Sequence, residues 1–319
     1  MNILSFDVGG TSIKYGVVDS DFRILNKGSE ETPKTEETFI EIINSIISDN
    51  ENNFNNISVA MPGYVNKKES LYSYGPHLKY KIDFSKLSNF SEYEFHLDND
   101  GNVAAYCEYF LNHRNKFSNL IMLTFGTGVG GGIISEGKLL RGRGNAGEIG
   151  HMLTSNDREV EGDGGKKGSF ESSVAASVWT KKCLELAKQN QNSDLAKIFA
   201  IKNVGSVLFD NTLNLTTQET DVRDEIIQNI SNGLLSLFEI FDNEAFVLGG
   251  TMSSEPFDLI ELIQSDIKKR YKFPSRNFPE IFIASQGKDS GIIGAALLGI
   301  KKFLYCYLVL FLKTTTTEN

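Results

Sequence analysis

Two glycine-rich turns, each preceded by an apolar segment, constrain the fold of this chain more than any other feature of its sequence. In the first, an apolar run ends at Asp7 and the chain turns on Gly9 and Gly10. Paired glycines let a backbone approach a ligand and present its N–H groups, while Thr11 and Lys14 add a hydroxyl and a cation. The pattern predicts a phosphate-binding turn between two strands. An ordinary hairpin turn is the alternative, because Gly-Gly is also a common turn dipeptide.

The second turn follows the apolar residues 120–123 and holds five glycines between positions 126 and 132. So many glycines cost more backbone entropy than a chain reversal needs, and a bound anion explains them better. The pattern is neither a P-loop nor a dinucleotide fingerprint, because the chain continues as a strand and does not open a helix. It predicts a nucleotide held between two β-hairpins, with Gly126, Thr127 and Gly128 at its phosphates.

Strands and helices alternate along the rest of the chain. Apolar residues repeat at helical spacing over 39–47, and 57–60 is typical of a short buried strand. A long amphipathic helix over 222–241 leads into a strand at 245–248. This order indicates an α/β protein, and 319 residues favour two domains. The expected bounds are an N-terminal domain of residues 1–115, completed by a C-terminal helix over 289–312, and a larger domain of residues 116–288.

Composition narrows the class of protein and its partners. With 41 acidic against 32 basic side chains, the formal net charge is −9, the wrong sign for a surface that holds nucleic acid. The three cysteines, Cys107, Cys183 and Cys306, are widely separated and indicate neither a disulfide framework nor a cysteine metal site. The N-terminus has no secretory signal pattern. We therefore expect a cytoplasmic protein that binds neither nucleic acid nor a membrane.

An apolar run over residues 303–312 is about half the length of a membrane span, which takes about twenty residues. The buried end of a terminal helix is the simpler interpretation. The run is hydrophobic all round and four threonines follow it, so an irregular C-terminus that packs differently from the rest is the alternative.

Three further motifs accompany the glycine turns. Asn99–Ala105 lies between the two turns, and Gly147–Met152 and Val247–Gly250 follow the second one. Together these motifs resemble those of the ROK family of sugar kinases and sugar-responsive repressors, and the resemblance spans nearly the whole chain. It implies a two-lobed, actin-like (ribonuclease-H-like) α/β ATPase fold with the active site in the interdomain cleft. It also implies ATP, Mg²⁺ and a hexose-type sugar as ligands, and a homodimer.

Asn99 and Asp100 stand where a predicted strand passes into a predicted helix. An isolated aspartate at such a corner is most readily a helix N-cap. Two phosphate turns in the same chain favour catalysis, since phosphoryl transfer needs a carboxylate near the attacking hydroxyl. The resemblance implies that Asp100 is the catalytic base and that Asp7 holds Mg²⁺, directly or through water. Asn102 is expected to be structural.

Sugar recognition needs polar side chains that converge on hydroxyls. The resemblance assigns this role to Glu148, His151 and Glu171, alongside Asn99 and Asp100. A structural histidine is the alternative for His151, and Glu171 has a credible alternative at the start of a helix predicted over 171–189. Glycines in the loop before Glu148 favour a functional role there. The backbone at Gly249 and Gly250 is expected to approach the adenosine.

The chain departs from many ROK members in one loop. The family's zinc motif carries cysteines at the positions of Gly162, Gly164 and Ser169, and none is present here. A tetrahedral zinc site needs about four thiolate or imidazole ligands, and only His151 is left. We therefore expect no zinc site, with hydrogen bonds holding this loop instead.

The sequence thus predicts an ATP-dependent hexose kinase, acting at the 6-hydroxyl that is common in the family, with Asp100 as general base. A sugar-sensing repressor is disfavoured, because only six residues precede Asp7 and leave no room for a helix-turn-helix segment. A catalytically weak sugar-binding or sugar-sensing protein without a DNA-binding domain is the remaining alternative.

Overall fold

The computed structural model describes residues 1–75, 77–154, 167–254, 258–272, 276–285, 287 and 289–300. The chain divides into two compact units. Unit 1 comprises Met1–Cys107, Arg141–Asn145 and the described residues from Gly287 onward; unit 2 comprises Glu108–Leu140 and the described residues of Ala146–Gln286. The apolar run 303–312 and the predicted terminal helix beyond Ile300 lie outside the described residues.

The strands, in chain order, are β1 (Ile3–Val8), β2 (Ser12–Val18), β3 (Ile24–Glu31), β4 (Asn56–Met61), β5 (Tyr64–Asn66), β6 (Leu71–Tyr74), β7 (Ile82–Asp83), β8 (Glu94–Asn99), β9 (Leu120–Phe125), β10 (Val129–Ser135), β11 (Lys138–Leu139), β12 (Ala245–Gly250) and β13 (Glu280–Ile283). The helices are α1 (Glu36–Asp49), α2 (Asp100–Glu108), α3 (Phe170–Val174), α4 (Ala176–Gln189), α5 (Asp194–Lys202), α6 (Thr217–Phe241), α7 (Thr251–Ser254), α8 (Leu259–Arg270) and α9, described over 290–300. A π-helical turn, Tyr109–His113, continues α2.

Five strands form the main sheet of unit 1, in the order β3-β2-β1-β4-β8. The hairpin β1–β2 is antiparallel, whereas β1, β4 and β8 run parallel. Every residue of β4 is buried, as expected for a parallel strand covered on both faces. A separate three-stranded sheet, β5-β6-β7, follows β4 in the chain. The parallel strands align their C-terminal ends at one edge of the main sheet.

Helices cover the unit 1 sheet with apolar side chains. Thr35 caps α1 by accepting the Thr38 N–H, and the buried Phe39, Ile43 and Ile47 follow at helical spacing. The chain returns to this unit in α9, where Ile292, Ala296 and Ile300 pack with Ile3 and Val18 in one buried cluster. Unit 1 is therefore built from both ends of the chain.

Unit 2 repeats the strand order of unit 1. Its sheet runs β11-β10-β9-β12-β13, with an antiparallel β9–β10 hairpin and parallel β9, β12 and β13. In each unit, a hairpin that contains a glycine turn is followed by two further parallel strands. The duplicated hairpin that the sequence predicts is thus part of a larger duplicated sheet.

The core of unit 2 packs helices against this sheet. Trp179 is fully buried between Phe125, with which it stacks, and Phe209, which meets it edge-on. A capping box formed by Thr216 and Glu219 begins α6 and satisfies the first N–H groups of that helix. Within the described residues, no helix has the length and apolar character to cross a membrane.

The single helix predicted over 171–189 is wrong. The structure has two helices, α3 and α4, with extended backbone at Ala175 between them (φ −65°, ψ 150°). The reason is a contact made by Ser177 at the start of α4: its N–H donates to Gly126 O (3.2 Å) and its hydroxyl to Thr127 O (2.6 Å). The break directs the start of α4 to the second glycine turn.

The region 190–220, which is polar in sequence, contains α5. It also contributes to the core, which its composition does not suggest. A 3-10 turn, Gly205–Phe209, buries Val207, Leu208 and Phe209. The predicted long helix at 222–241 begins earlier, at Thr217, because Thr216 caps it.

Candidate active site

The strand register places Asp7 and the corner at Asn99 on one edge of the unit 1 sheet. Asp7 of β1 is opposite Ala60 of β4, and Ala60 is opposite Asp98 of β8. Neighbouring strands are about 4.8 Å apart, so the backbones of Asp7 and Asp98 are separated by about 10 Å. The C-terminal edge of parallel strands is where open α/β sheets bind their ligands.

The first glycine turn is a tight reversal between β1 and β2. Gly9 N–H donates to Ser12 O (2.9 Å), and the Thr32 hydroxyl donates to Gly9 O (2.8 Å). Gly10 and Thr11 at the tip are exposed. The base of the turn is therefore fixed by hydrogen bonds while its tip remains accessible to a ligand.

Asp7 immediately precedes this turn and is partly buried. Burial raises the pKa of its carboxyl group, and the nearby Lys14 ammonium opposes that shift. Lys14 is opposite Asp7 in the β1–β2 ladder, where paired residues share a face of the sheet. The carboxylate also lies against the first turn of α9, because a Cβ at Gly291 would overlap it. Asp7 and Lys14 thus place one negative and one positive charge beside the turn.

The corner at the end of β8 shows which side chain caps α2. Asn99 Oδ1 accepts the Asn102 N–H (3.1 Å), so the capping role belongs to Asn99. Asn99 Nδ2 donates to Gly63 O (3.1 Å). Asp100 is the first residue of α2, is exposed, and accepts the Gly101 N–H at 2.9 Å. The capping hydrogen bond is therefore made by Asn99 and not by the Asp100 carboxylate.

The second glycine turn, in unit 2, joins β9 to β10. Gly126 N–H donates to Gly128 O (2.9 Å), and the Ser177 bonds to Gly126 and Thr127 hold the turn from the side of α4. Gly249 and Gly250, at the end of β12, are opposite residues 124 and 125 of β9. Unit 2 therefore brings the predicted phosphate turn and the predicted adenosine strand to adjacent positions.

Glu148, His151 and Glu171 form a cluster in unit 2. His151 Nε2 is 3.6 Å from Glu148 Oε2, and His151 Nδ1 is 3.7 Å from Glu171 Oε1. Both distances exceed those of a hydrogen bond. His151 Nδ1 is buried and makes no hydrogen bond within the described part of the chain. The imidazole is thus flanked by two carboxylates with polar capacity left for a ligand.

Glu171 also contacts the second glycine turn. It is 6% exposed, and its Oε2 accepts the Val129 N–H at 3.3 Å. A Cβ at Gly128 would lie 2.6 Å from the same oxygen. The position of Glu171 in the first turn of α3 and its contact with the turn are compatible with both roles considered for it, helix start and ligand contact.

Two positions of the family's zinc motif, Gly162 and Gly164, lie outside the described residues. The third, Ser169, is the N-cap of α3 and accepts the Ser172 N–H (3.4 Å). Over residues 1–154 and the later described ranges, no group of three or more His, Cys, Asp or Glu side chains is placed to bind a metal ion.

Backbone hydrogen bonds close the base of this loop. Thr154 N–H donates to Gly168 O (3.1 Å), and Phe170 N–H donates to Met152 O (2.7 Å). These bonds fix residue 152, next to His151, and residue 170, next to Glu171. The orientation of both side chains therefore depends on a short antiparallel contact at the loop base.

The sequence profile of the ROK family matches residues 3–302 of this chain. The chain belongs to the ROK family. It is 28% identical to a glucokinase of Streptomyces coelicolor over 312 residues, covering 92% of this chain and 96% of that protein. It is 30% identical to a β-glucoside kinase of Listeria monocytogenes over 268 residues, 82% and 86% of the two chains.

Among solved structures, the ROK glucokinase of Streptomyces griseus in complex with glucose and AMPPNP superposes with a TM-score of 0.75. The two chains are 26% identical, and the match covers 93% of this chain and 99% of that one. The predicted actin-like α/β fold is confirmed by this ROK kinase.

The residues of this ROK chain fit ATP and Mg²⁺. An added Cβ on Gly126 would meet no atom of the described residues within 4 Å, and a phosphate could fill this space. Asp7 offers carboxylate oxygens, the ligands that Mg²⁺ prefers, and Lys14 adds a positive charge near them. One carboxylate is sufficient for a Mg²⁺ that also binds phosphates and water.

Two residues near the glycine turns were missed by sequence reasoning. A Cβ on Gly10 would lie 2.8 Å from His77 Cβ, so the imidazole packs directly on the first turn. Ser177 holds two carbonyls of the second turn, as described above. Neither stands in a recognisable motif. A serine just inside a helix start is the one signal that could have drawn attention to Ser177.

Proposed function

We propose that this chain transfers the terminal phosphoryl group of ATP to the 6-hydroxyl of a hexose, with Asp100 as the general base. Its relatives named above are glucokinases and a β-glucoside kinase, and the chain is an ATP-dependent sugar kinase of the same family. The observation that supports the role of Asp100 is the cap at Asn99. Asn99 makes the capping hydrogen bond, and the Asp100 carboxylate stands exposed at the first position of α2.

In this proposal each predicted site residue has a defined task. Asp7 would hold Mg²⁺, which would neutralise phosphate charge on ATP, the donor of the phosphoryl group. The N–H groups of both glycine turns bind phosphate oxygens, and Lys14 adds a cation. The Asp100 carboxylate accepts the proton of the sugar hydroxyl as that oxygen attacks. Gly249 and Gly250 let the backbone approach the adenosine.

Sugar hydroxyls are assigned to Asn99 and to the cluster of Glu148, His151 and Glu171. The support is the buried His151 Nδ1, which makes no hydrogen bond to any described residue, together with the two carboxylates 3.6 and 3.7 Å from the imidazole. A sugar hydroxyl beside the imidazole would give His151 Nδ1 a hydrogen bond. A cytoplasmic location, a homodimer and the absence of zinc remain predictions.

The test is ADP release with a panel of hexoses, N-acetylated hexosamines and β-glucosides, for wild type and Asp100→Asn. We expect kcat to fall about a hundredfold or more while ATP affinity and the melting temperature stay nearly unchanged, because the amide keeps the corner's shape. Asp194→Asn is the matched control. Asp194 is likewise the first residue of a helix, α5, whose cap is the preceding Ser193.

The alternative, a catalytically weak sugar-binding protein, gives a different result. It would bind a panel sugar in calorimetry without releasing ADP, and Asp100→Asn would leave that binding intact. Retention of more than about a tenth of wild-type kcat by Asp100→Asn would remove the general-base assignment.

A further inference from the structure

A completely buried carboxylate stands directly before the Asn99–Asp100 corner. Asp98 is 0% exposed and receives four hydrogen bonds. Its Oδ1 accepts the Asn99 N–H (2.9 Å) and the Asn102 side-chain amide (3.1 Å), both in the corner itself. Its Oδ2 accepts Lys67 Nζ and Arg141 Nε, the latter at 3.0 Å. One carboxylate therefore joins the corner to two cations.

The two cations come from separate parts of unit 1. Lys67 follows β5, whereas Arg141 begins the segment Arg141–Asn145, which continues in the chain toward Glu148. Burial lowers the pKa of the Lys67 ammonium, Asp98 opposes this shift and Arg141 adds to it. The guanidinium uses only Nε for Asp98 among the described residues. Arg141 thus anchors the start of the loop whose later residues include Glu148.

A buried charge is tolerated only when it is paired and hydrogen-bonded, and removal of one partner of such a pair is strongly disruptive. Here the partners of Asp98 are not interchangeable. Lys67 follows β5 and is not part of the loop, so it supports only the corner. Arg141 supports the corner and also fixes the first residue of the loop.

We propose that Asp98, held by Lys67 and Arg141, is a positioning residue that orders both the Asn99–Asp100 corner and the loop 141–147. Its consequence for catalysis rests on the proposed function, whereas its ordering effect does not. Asp98 itself is buried and does not touch the sugar; it acts through the backbone of Asn99 and the side chain of Asn102.

The ordering effect is tested by hydrogen exchange of the full-length protein, followed by mass spectrometry. Arg141→Met is expected to speed amide exchange about tenfold or more in both 99–102 and 141–147, and Lys67→Met in 99–102 alone. Arg141→Lys, which keeps the charge, should restore much of the protection. Lys86→Met, which breaks an exposed ion pair with Glu36 in the same unit, is the matched control and should change neither segment.

The catalytic consequence is tested by steady-state kinetics with the panel sugar of largest kcat/KM. Arg141→Met should lower kcat/KM for sugar about tenfold to a hundredfold while the KM for ATP stays within about twofold, because misplaced groups cost rate and not nucleotide affinity. Asp98→Asn combined with Arg141→Met should be no worse than Asp98→Asn alone, since both act through one carboxylate.

Two results overturn the inference. The first is unchanged exchange in 99–102 and 141–147 for both Arg141→Met and Lys67→Met. The second is additive loss in the Asp98→Asn and Arg141→Met pair. Failure of the proposed function can be told apart from failure of this inference. An inactive wild type, or an active Asp100→Asn, would contradict the proposed function without changing the hydrogen-exchange result.

Discussion

The two units share a strand order but bring a carboxylate to their glycine turns in opposite ways. In unit 1 the hairpin supplies the carboxylate, Asp7, and the first turn of α9 supplies the glycine, Gly291, against which it lies. In unit 2 the helix α3 supplies the carboxylate, Glu171, and the hairpin supplies the glycine, Gly128. Each unit therefore places a carboxylate, a helix start and a glycine turn together. The carboxylate comes from the hairpin in unit 1 and from the helix in unit 2.

The different origins of the two carboxylates fit different roles, metal binding for one and sugar binding for the other. A carboxylate on the hairpin itself is fixed by the strand register, which suits a group that must hold a metal ion at a set place. A carboxylate on a helix start reaches the turn by its side chain, and Glu171 reaches His151 as well. This difference supports the proposal that Asp7 holds Mg²⁺ and that Glu171 binds a sugar hydroxyl.

The largest effect in this comparison is expected for Gly291→Ala. The added methyl group would overlap the Asp7 carboxylate, and Asp7 has only two rotatable bonds with which to move away. We expect a loss of about 1–3 kcal/mol of stability from overpacking and a fall in kcat/KM of about a hundredfold or more. Thermal unfolding and ADP release measure the two effects.

Gly287→Ala is the control for this change. A Cβ at Gly287, which precedes the same helix, meets no atom of the described part of the chain within 4 Å. It should behave as wild type in both assays. Equal behaviour of Gly291→Ala and Gly287→Ala would show that the contact with Asp7 has no functional weight.

An intermediate effect is expected for Gly128→Ala. The methyl group would displace the Glu171 carboxylate from Val129 N–H, but glutamate has one more rotatable bond than aspartate and can yield. Sugar affinity should fall about tenfold or more with little change in the melting temperature, because a charged hydrogen bond to sugar is lost. Calorimetric titration with sugar in the absence of nucleotide measures it.

Gly126→Ala in the same turn is expected to affect nucleotide binding and not sugar binding. Its methyl group would occupy the open space assigned to a phosphate. It should weaken binding of an unreactive ATP analogue and leave sugar affinity unchanged. If Gly126→Ala and Gly128→Ala weaken the same ligand, the division of roles within the second turn is wrong.

Both glycine turns, and the strands beside them, could be predicted from sequence because apolar runs and glycines are local signals. The corner at Asn99 could be located but not interpreted, since two adjacent residues can each cap a helix and only the bond from Asn102 N–H decides between them. The duplicated sheet was missed beyond its hairpins, because strand order depends on pairing between distant segments.

Contacts across long sequence separations account for the other differences. His77 packs on Gly10 and Ser177 holds the second turn, yet neither partner is near in sequence. The break at Ala175 follows from the same cause, because a tertiary contact of Ser177 overrides the helical pattern of 171–189. The Lys67, Asp98 and Arg141 cluster likewise has no local signature.

The smallest expected effect is a pH-dependent change in melting temperature caused by Asp7, the carboxylate on the unit 1 hairpin. Burial raises the pKa of Asp7 above 3.8, so the folded chain holds that proton more tightly than the unfolded chain does. The contribution of Asp7 to stability is therefore present at pH values below 3.8 and is lost as the pH rises through the raised pKa. Asp7→Asn cannot ionise and avoids this loss. Relative to wild type, its melting temperature should be higher at about pH 8 and the difference should shrink toward about pH 4.5, while kinase activity is lost.

Asp19 provides the control of opposite sign in the same unit. Its pKa is lowered, chiefly by the Arg23 backbone N–H that it accepts, so its contribution is present above 3.8 and is lost as the pH falls through the lowered value. Asp19→Asn should therefore lower the melting temperature slightly near neutral pH and leave activity intact. If Asp7→Asn instead lowers the melting temperature at both pH values, the Asp7 carboxylate stabilises unit 1. The cost of its burial would then be more than offset by Lys14, the cation opposite it in the β1–β2 ladder.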